Sequence, residues 1–221
     1  MHFFPCFEDL RIMPGQIYRA MGYHCTKPDA YTAEIICFLM GQAKQRIHPR
    51  IYAKMTNGEI KGDMLHIENT VFHPGDTILR QFQSASRYYL FIETAGQEYE
   101  KWKNEPEIME EPLQQFIVDA LGTCVVEGCS RYLLRQITRQ LPKGWGKTLP
   151  LSPGHCEWET GEQQQLFSLF STVSLPVSLT PACLMRPVKS ASGIIGTGKD
   201  IGRMPVPCKI CNKIDCFQRM I

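Results

Sequence analysis

The sequence predicts an α+β domain in which helices pack on an antiparallel or mixed sheet. Two helical segments come first, three strand-like runs follow, and a long helical region comes after them. The chain has 221 residues, of which 43% are hydrophobic, so it is long enough to bury one substantial core. We expect one domain over residues 1–200 and a cysteine-rich tail over residues 201–221.

The first two predicted helices lie before residue 46. Pro14 and Gly15 open a short helix that should end near Gly22. A longer helix is predicted for residues 33–45, because its apolar residues recur at helical spacing on one stripe: Ile36, Leu39, Met40 and Ala43.

Three strand-like runs follow, at residues 50–55, 64–69 and 88–94. The last run, which begins Tyr88-Tyr89-Leu90-Phe91-Ile92, is nearly continuous in apolar and aromatic residues and should be a buried strand. Between the second and third runs, the turn at residues 74–76 precedes a predicted helix near residues 78–85.

A long helical region is predicted for residues 107–140. We expect Pro112 to interrupt it, and Gly122 and Gly128 are further expected points of interruption. The small residues Ala120, Gly122 and Gly128 would also allow another backbone or a ligand to approach one face of the helix.

Charge and hydropathy exclude several classes of function. The net charge is +2, from 24 basic and 22 acidic residues, which gives no electrostatic surface for nucleic acid or a membrane. No apolar run approaches the roughly 18 residues that a membrane-spanning helix needs. The first residues lack a basic segment and are followed by Glu8 and Asp9, which is unlike a signal peptide, so the sequence predicts a cytoplasmic protein.

The ten cysteines are unevenly placed, and without an export signal a disulfide scaffold is not expected. Cys208, Cys211 and Cys216 form a C-x2-C-x4-C pattern, whose thiolates could converge on one metal centre. An iron–sulfur cluster or zinc is predicted there, with Cys156 or Cys183 as a candidate fourth ligand. The alternative is a tail that carries three exposed thiols.

Two clusters of backbone-shaping residues stand out, Leu151-Ser152-Pro153-Gly154-His155 and the segment Pro187 to Gly193. Proline fixes φ, glycine allows close approach, and small hydroxyls donate without bulk, so such segments turn the chain or place backbone amides around a ligand. Residues 193–199 also fit G-x-x-x-x-G-K, but Asp200 replaces the hydroxyl residue of a phosphate loop. A glycine-rich strand and turn is the better interpretation there.

Glu127 is the candidate polar group of the long helix. A carboxylate near an apolar helix face can accept hydrogen bonds from a ligand's ammonium or hydroxyl groups. A solvated surface glutamate is the alternative.

Taken in order, these segments resemble the activation domain of cobalamin-dependent methionine synthase. The resemblance is closer to its free-standing activation-subunit relatives, whose S-P-G-Y turn, glutamine-containing helix and P-x-K-S-x-S-G-I-I-G segment correspond to residues 152–155, 162–167 and 187–196. The resemblance implies that S-adenosylmethionine is held by Glu127 and by four residues of the turn: Ser152, Pro153, Gly154 and His155. It further implies a cleft shaped by Lys189, Ser190, Ser192 and Gly193.

The sequence departs from the family motif at two positions. Pro150 stands where methionine synthase has a cofactor-binding arginine, and His155 stands where it has a tyrosine. Lys147 is a candidate substitute for the missing positive charge. The cysteine tail is similar to the C-x2-C-x4-C module of corrinoid iron–sulfur proteins, although no fourth cysteine follows it.

The resemblance implies an accessory subunit for reductive activation of a cobalamin-dependent methyltransferase such as methionine synthase. In the parent reaction an electron donor reduces the cobalt, and S-adenosylmethionine traps it by methylation. The expected partner is therefore a corrinoid protein or methionine synthase, which carries the cobalamin. The alternative is a non-catalytic module, with or without the metal tail, that docks on a corrinoid protein without binding S-adenosylmethionine. A thiol enzyme using Cys156 and His155 lacks a visible orienting residue.

Overall fold

The computed structural model describes residues 1–199, 201–202 and 210–211. The helices are α1 (Pro14–Ala20), α2 (Ala30–Arg46), α3 (Asp76–Phe82), α4 (Gln97–Lys103), α5 (Pro106–Met109), α6 (Pro112–Gln140) and α7 (Gln163–Ser168). The strands are β1 (His2–Phe3), β2 (Arg50–Lys61), β3 (Met64–Ile67), β4 (Thr70–Phe72), β5 (Arg87–Thr94), β6 (Trp145–Lys147), β7 (Ser178–Leu179), β8 (Met185–Arg186) and β9 (Ser190–Lys199).

Seven strands form one sheet in the order β4-β3-β2-β5-β9-β6, with β1 added to β2. Every pairing between these strands is antiparallel, so the predicted α+β class is confirmed and the sheet is antiparallel rather than mixed. β9 lies between β5 and the edge strand β6, and Phe91 of β5 pairs with Gly193 of β9. β7 and β8 form a separate two-stranded hairpin.

The two faces of the sheet bury different hydrophobic clusters. Tyr89 and Phe91 of β5 belong to the cluster that contains residues of α1, α2 and α6. Tyr88, Leu90 and Ile92, which alternate with them, belong to the cluster that contains residues of α3, α7 and the chain after β6. This alternation follows from the two-residue period of a strand. We call the two sides the α6 face and the α7 face.

The sequence placed most helices and the buried strand correctly. The predicted interruption at Pro112 is confirmed, because α5 ends at Met109 and α6 begins at Pro112, whereas the interruptions expected at Gly122 and Gly128 are wrong. This helix begins with Pro112 in its first turn and continues without interruption through Gly122 and Gly128. Their close neighbours are side chains: a Cβ built on Gly122 would lie 2.4 Å from the Tyr99 ring, and one on Gly128 would lie 2.9 Å from Leu10. The two glycines therefore allow close packing within an uninterrupted helix.

The glycine-rich segment after Ser192 forms β9, between β5 and β6, as the strand interpretation predicted. β2 extends beyond the predicted end at Met55 and reaches Lys61, where it pairs with β3. Among the described residues, no helix is both long enough and apolar enough to cross a membrane.

Candidate functional site

The Ser152–His155 segment is a tight turn that closes on itself. The His155 amide donates to the Ser152 carbonyl at 3.0 Å, and the Gly154 amide donates to the Trp158 carbonyl at 2.7 Å. Gly154 has a φ of +98°, which glycine adopts at little cost, and Pro153 is buried. The sequence therefore folds here into a defined turn.

The turn favours the neutral form of His155. Its Nδ1 accepts the Ser152 amide at 3.3 Å, which requires an unprotonated nitrogen. Desolvation by the surrounding atoms lowers the pKa of His155, and this shift also favours the neutral imidazole. The imidazole can therefore act as a neutral hydrogen-bonding group near pH 7.

The turn packs directly on β9. Leu151 pairs with Ile194 through two backbone hydrogen bonds, of 3.0 and 2.7 Å, so the chain just before the turn runs beside the strand. A Cβ built on Gly193 would lie 2.4 Å from the Leu151 carbonyl oxygen, 2.7 Å from Ser152 Oγ and 2.9 Å from the Phe91 ring. Glycine is needed at residue 193 because any side chain there would collide with these atoms. Ser152 Oγ lies on the α6 face, as does the Phe91 ring.

A polar row on α6 contacts Lys189, the residue before β9, through its first two members. The row repeats every four residues, which places its members on one side of a helix: Asp119, Thr123, Glu127 and Arg131. Lys189 Nζ donates to Asp119 Oδ2 and to Thr123 Oγ1, both at 2.9 Å. Asp119 also accepts from Lys103, and these two ammonium groups hold the pKa of its carboxyl below the usual value against the opposing effect of burial.

Glu127 lies in the middle of this row and is 61% exposed at its side chain. Its partner is Arg131, whose Nη1 lies 3.6 Å from Oε2. Arg131 Nη2 is buried and has no hydrogen-bond partner among the described residues. Sequence reasoning missed Arg131, and its position one helical turn after Glu127 was the signal that could have found it.

The other predicted cleft residues have structural partners. Ser190 Oγ donates to Thr94 Oγ1 at 2.9 Å and to the Pro187 carbonyl at 2.7 Å. Ser192 Oγ is buried and lies 3.5 Å from Gln163 Oε1 of α7. By strand alternation, both hydroxyls lie on the opposite side of β9 from Gly193, which is the α7 face. Their hydrogen bonds therefore hold β9 in place on that side of the sheet.

Glu93 is a second group that the sequence analysis did not single out. Its side chain is completely buried on β5, and its Oε1 accepts a hydrogen bond from Ser130 Oγ of α6. Burial raises the pKa of Glu93 to about 8, and the Ser130 hydrogen bond opposes that rise. A carboxyl at the end of an otherwise apolar strand was the available sequence signal.

A cleft of about 510 Å³ lies beside this region, between α4 and the residues around β7 and β8. Its lining combines apolar and charged residues: Gln97, Glu100, Lys101, Asn104, Leu175, Pro176, Val177, Ser178, Arg186 and Pro187. It adjoins the segment that enters β9, because Glu100 accepts the Val188 amide at 2.5 Å. None of the predicted cofactor-binding residues lines this cleft.

The predicted metal site falls largely outside the described residues, because Cys208 and Cys216 are not among them. Cys211 is described and is 7% exposed. Within residues 1–199, 201–202 and 210–211, no group of three or more His, Cys, Asp or Glu side chains could hold a metal ion. Metal binding by the tail, with Cys156 or Cys183 as a further ligand, stays a prediction.

Comparison with known proteins gives a structural match only. No family model matches the chain, and no curated protein matches its sequence. A crystal structure described as the MetH reactivation domain bound to AdoHcy superposes with a TM-score of 0.70 over 94% of this chain and 80% of that chain, at 14% sequence identity. The chain therefore has the fold of the methionine synthase reactivation domain, as its sequence motifs implied.

Proposed function

We propose that this protein binds S-adenosylmethionine between the polar row of α6, the Ser152–His155 turn and the first residues of β9. The observation that carries the proposal is the contact of the turn with Gly193 on the α6 face, which brings two motif segments together. The reactivation-domain fold supports it, since the similar structure is described as bound to AdoHcy.

The groups around this region fit the amino-acid end of the cofactor. Arg131 has one guanidinium nitrogen without a hydrogen-bond partner among the described residues. That nitrogen can pair with a carboxylate and so take the role of the family arginine, whose position Pro150 occupies here. Glu127 is exposed and can accept from the ligand's ammonium group. Lys189 is occupied by Asp119 and Thr123 and fixes α6 to β9 instead of reaching the ligand.

The proposed role is that of an accessory subunit in reductive activation. A corrinoid partner would supply the cobalamin, and a separate donor would supply the electron that reduces its cobalt. The methyl group would then pass from the sulfonium of S-adenosylmethionine to the reduced cobalt, leaving S-adenosylhomocysteine. This protein's part is to hold the methyl donor facing the partner.

Calorimetric titration of the protein with S-adenosylmethionine tests the binding step. We expect binding by the wild type and at least a tenfold weaker affinity for Arg131→Met. Arg139→Met is the matched control, because Arg139 lies two turns further along α6 and contacts Gln136. Gly154→Val should weaken binding as well, since a β-branched residue is strained at the φ of residue 154.

Absence of binding to folded wild-type protein would contradict the proposal. A docking module that binds a corrinoid protein without the methyl donor would then be the better function. Size-exclusion chromatography with a corrinoid methyltransferase, with and without S-adenosylmethionine, distinguishes the two. A docking module forms the same complex in both runs. The proposed subunit also delivers a methyl group to the partner's cobalamin, and that transfer requires the ligand-binding residues.

A further inference from the structure

The Glu93 carboxyl has unused hydrogen-bonding capacity at a fully buried position. Its Oε1 accepts from Ser130, whereas its Oε2 has no hydrogen-bond partner among the described residues. Buried polar atoms are usually paired, and one that is not needs a specific reason. The side chain is 0% exposed, so bulk water does not supply the missing interaction.

Glu93 lies between the two parts of the proposed cofactor site. Its backbone pairs with Ala191 of β9, inside the Ser190–Gly193 segment. Its side chain contacts Ser130, which is three residues after Glu127 on α6. Phe91, two residues earlier on the same face of β5, meets Gly193 near Ser152. The carboxyl therefore sits beneath the region where the α6 row and β9 approach one another.

No cation in the described structure compensates a charge on Glu93. Its backbone neighbours on β2 and β9 are Ile51 and Ala191, which do not titrate. On α6, the titratable residues next to Ser130 in sequence are Cys129, whose pKa burial raises well above the usual value, and Arg131, which pairs with Glu127. Lys189 is engaged by Asp119 and Thr123.

We propose that Glu93 is the residue that recognises the positive sulfur of S-adenosylmethionine, by ionising when that ligand binds and releasing its proton to solvent. This inference rests on the proposed cofactor site. A sulfonium cannot donate a hydrogen bond, so its attraction to a carboxylate is Coulombic and acts across several ångströms of low-dielectric interior without direct contact. S-adenosylhomocysteine carries a neutral thioether and gains nothing from this charge.

The burial of Glu93 makes the recognition dependent on pH in a defined direction. Because its pKa in the free protein is raised to about 8, the carboxyl is protonated at lower pH, and binding of the cation must include loss of that proton. Affinity for S-adenosylmethionine should therefore rise as pH increases. Between pH 5.5 and 7.5 the ionised fraction of such a group rises by roughly 80-fold, which sets the expected change.

Calorimetry at pH 5.5 and 7.5 with both ligands tests this. For wild-type protein, we expect S-adenosylmethionine to bind about 50- to 100-fold more tightly at pH 7.5, and S-adenosylhomocysteine to change much less. Titrations in two buffers of different ionisation enthalpy should show close to one proton released per S-adenosylmethionine bound near pH 7. Glu93→Gln should remove the pH dependence and the proton release and weaken S-adenosylmethionine at pH 7.5, while leaving S-adenosylhomocysteine affinity within about threefold.

Glu59→Gln is the control, because Glu59 is exposed and pairs with Lys61. If wild-type protein binds S-adenosylmethionine with the same affinity at both pH values, or if Glu93→Gln keeps the proton release, this inference is wrong and the proposed function stands. If neither ligand binds folded wild-type protein at either pH, the proposed function fails and this inference fails with it. Circular dichroism of each variant at both pH values establishes that binding is compared between folded proteins.

Discussion

The two faces of the sheet each hold a largely buried carboxyl, but these carboxyls are treated differently. Glu162, on the α7 face, is 14% exposed at its side chain and accepts hydrogen bonds from the His73 amide, the His73 ring and Trp158 Nε1. Glu93, on the α6 face, accepts one hydrogen bond and has one oxygen unpartnered among the described residues.

This difference in hydrogen bonding separates a carboxyl with a structural role, Glu162, from one that can still interact with a ligand, Glu93. Glu162 connects the segment after the Ser152–His155 turn to His73, the residue that follows β4. Both of its carboxylate oxygens accept hydrogen bonds, including one from Trp158 Nε1 at 2.7 Å. Such saturation is typical of a structural role. An unsaturated buried carboxyl costs stability, and such costs are usually found at functional sites.

The largest expected effect comes from changing Glu93 and measuring stability against pH. The pKa of Glu93 is about 8 in the folded protein, above its ordinary value of 4.5, so the folded state holds a proton that the unfolded state has lost. The protonated form stabilises the fold below about pH 4.5, and this contribution is lost as pH rises through 8. Relative to Glu93→Gln, the wild type should therefore lose about 3–4 kcal/mol of unfolding free energy between pH 5 and 8.

Urea unfolding of both proteins at pH 5, 6.5 and 8 measures this difference. Titration of other groups cancels in the comparison, since the glutamine variant differs only at residue 93. Parallel stability curves for the two proteins would show that the Glu93 carboxyl is not perturbed, and the contrast with Glu162 would disappear.

The next effect is expected at Glu162. Replacing Glu162 by alanine leaves the Trp158 and His73 donors without their acceptor, and we expect a loss of about 2–3 kcal/mol of unfolding free energy. Glu162→Gln keeps one acceptor oxygen and should cost less than the alanine variant. Thermal and urea unfolding at pH 7 check both values, and a loss below about 0.5 kcal/mol for the alanine variant would mean that the cluster does not fasten this segment.

A smaller effect is expected where the turn meets β9. Gly193→Ala places a Cβ at 2.4 Å from the Leu151 carbonyl, and the resulting displacement should cost about 1–2 kcal/mol. Gly41→Ala is the matched control, because a Cβ there meets nothing within 4 Å and should be neutral or stabilising in helix α2. Equal unfolding midpoints for the two variants would argue against close packing of the turn on the strand.

Most of the framework was predictable because it depends on local pattern. The helical stripe around Ile36 and the apolar run of β5 are local signals of this kind. The glycine-rich β9 was predicted as a strand because no helix follows it, as a phosphate loop would require. α6 was misjudged at Gly122 because the reason for that glycine is Tyr99, which is far away in sequence. Tertiary contacts of this kind override helix propensity and are not visible locally.

The candidate site was predictable in part. Ser152 and Gly193 do meet, as the order of the motifs implied. The sequence could not show that Ser190 and Ser192 lie on the α7 face, because strand register depends on pairing with β5. Nor could it show that Glu93 and Arg131 each carry an atom with no hydrogen-bond partner in the part of the chain that the structure describes, since that depends on which side chains surround them in the folded protein.

The smallest effect on stability is expected at Glu127, the exposed counterpart of Glu93 on the same face. Its Arg131 pair spans 3.6 Å and its side chain is 61% exposed, so Glu127→Gln should change the unfolding free energy by less than about 0.5 kcal/mol. If Glu127 accepts from the ligand's ammonium group, the same variant should weaken S-adenosylmethionine and S-adenosylhomocysteine equally, by roughly tenfold, because both ligands carry that group. Glu93→Gln should instead weaken only the sulfonium ligand. Calorimetry of the two variants with the two ligands separates the roles: a Glu127→Gln effect confined to S-adenosylmethionine would assign charge recognition to the exposed carboxylate and leave Glu93 without a ligand-binding function.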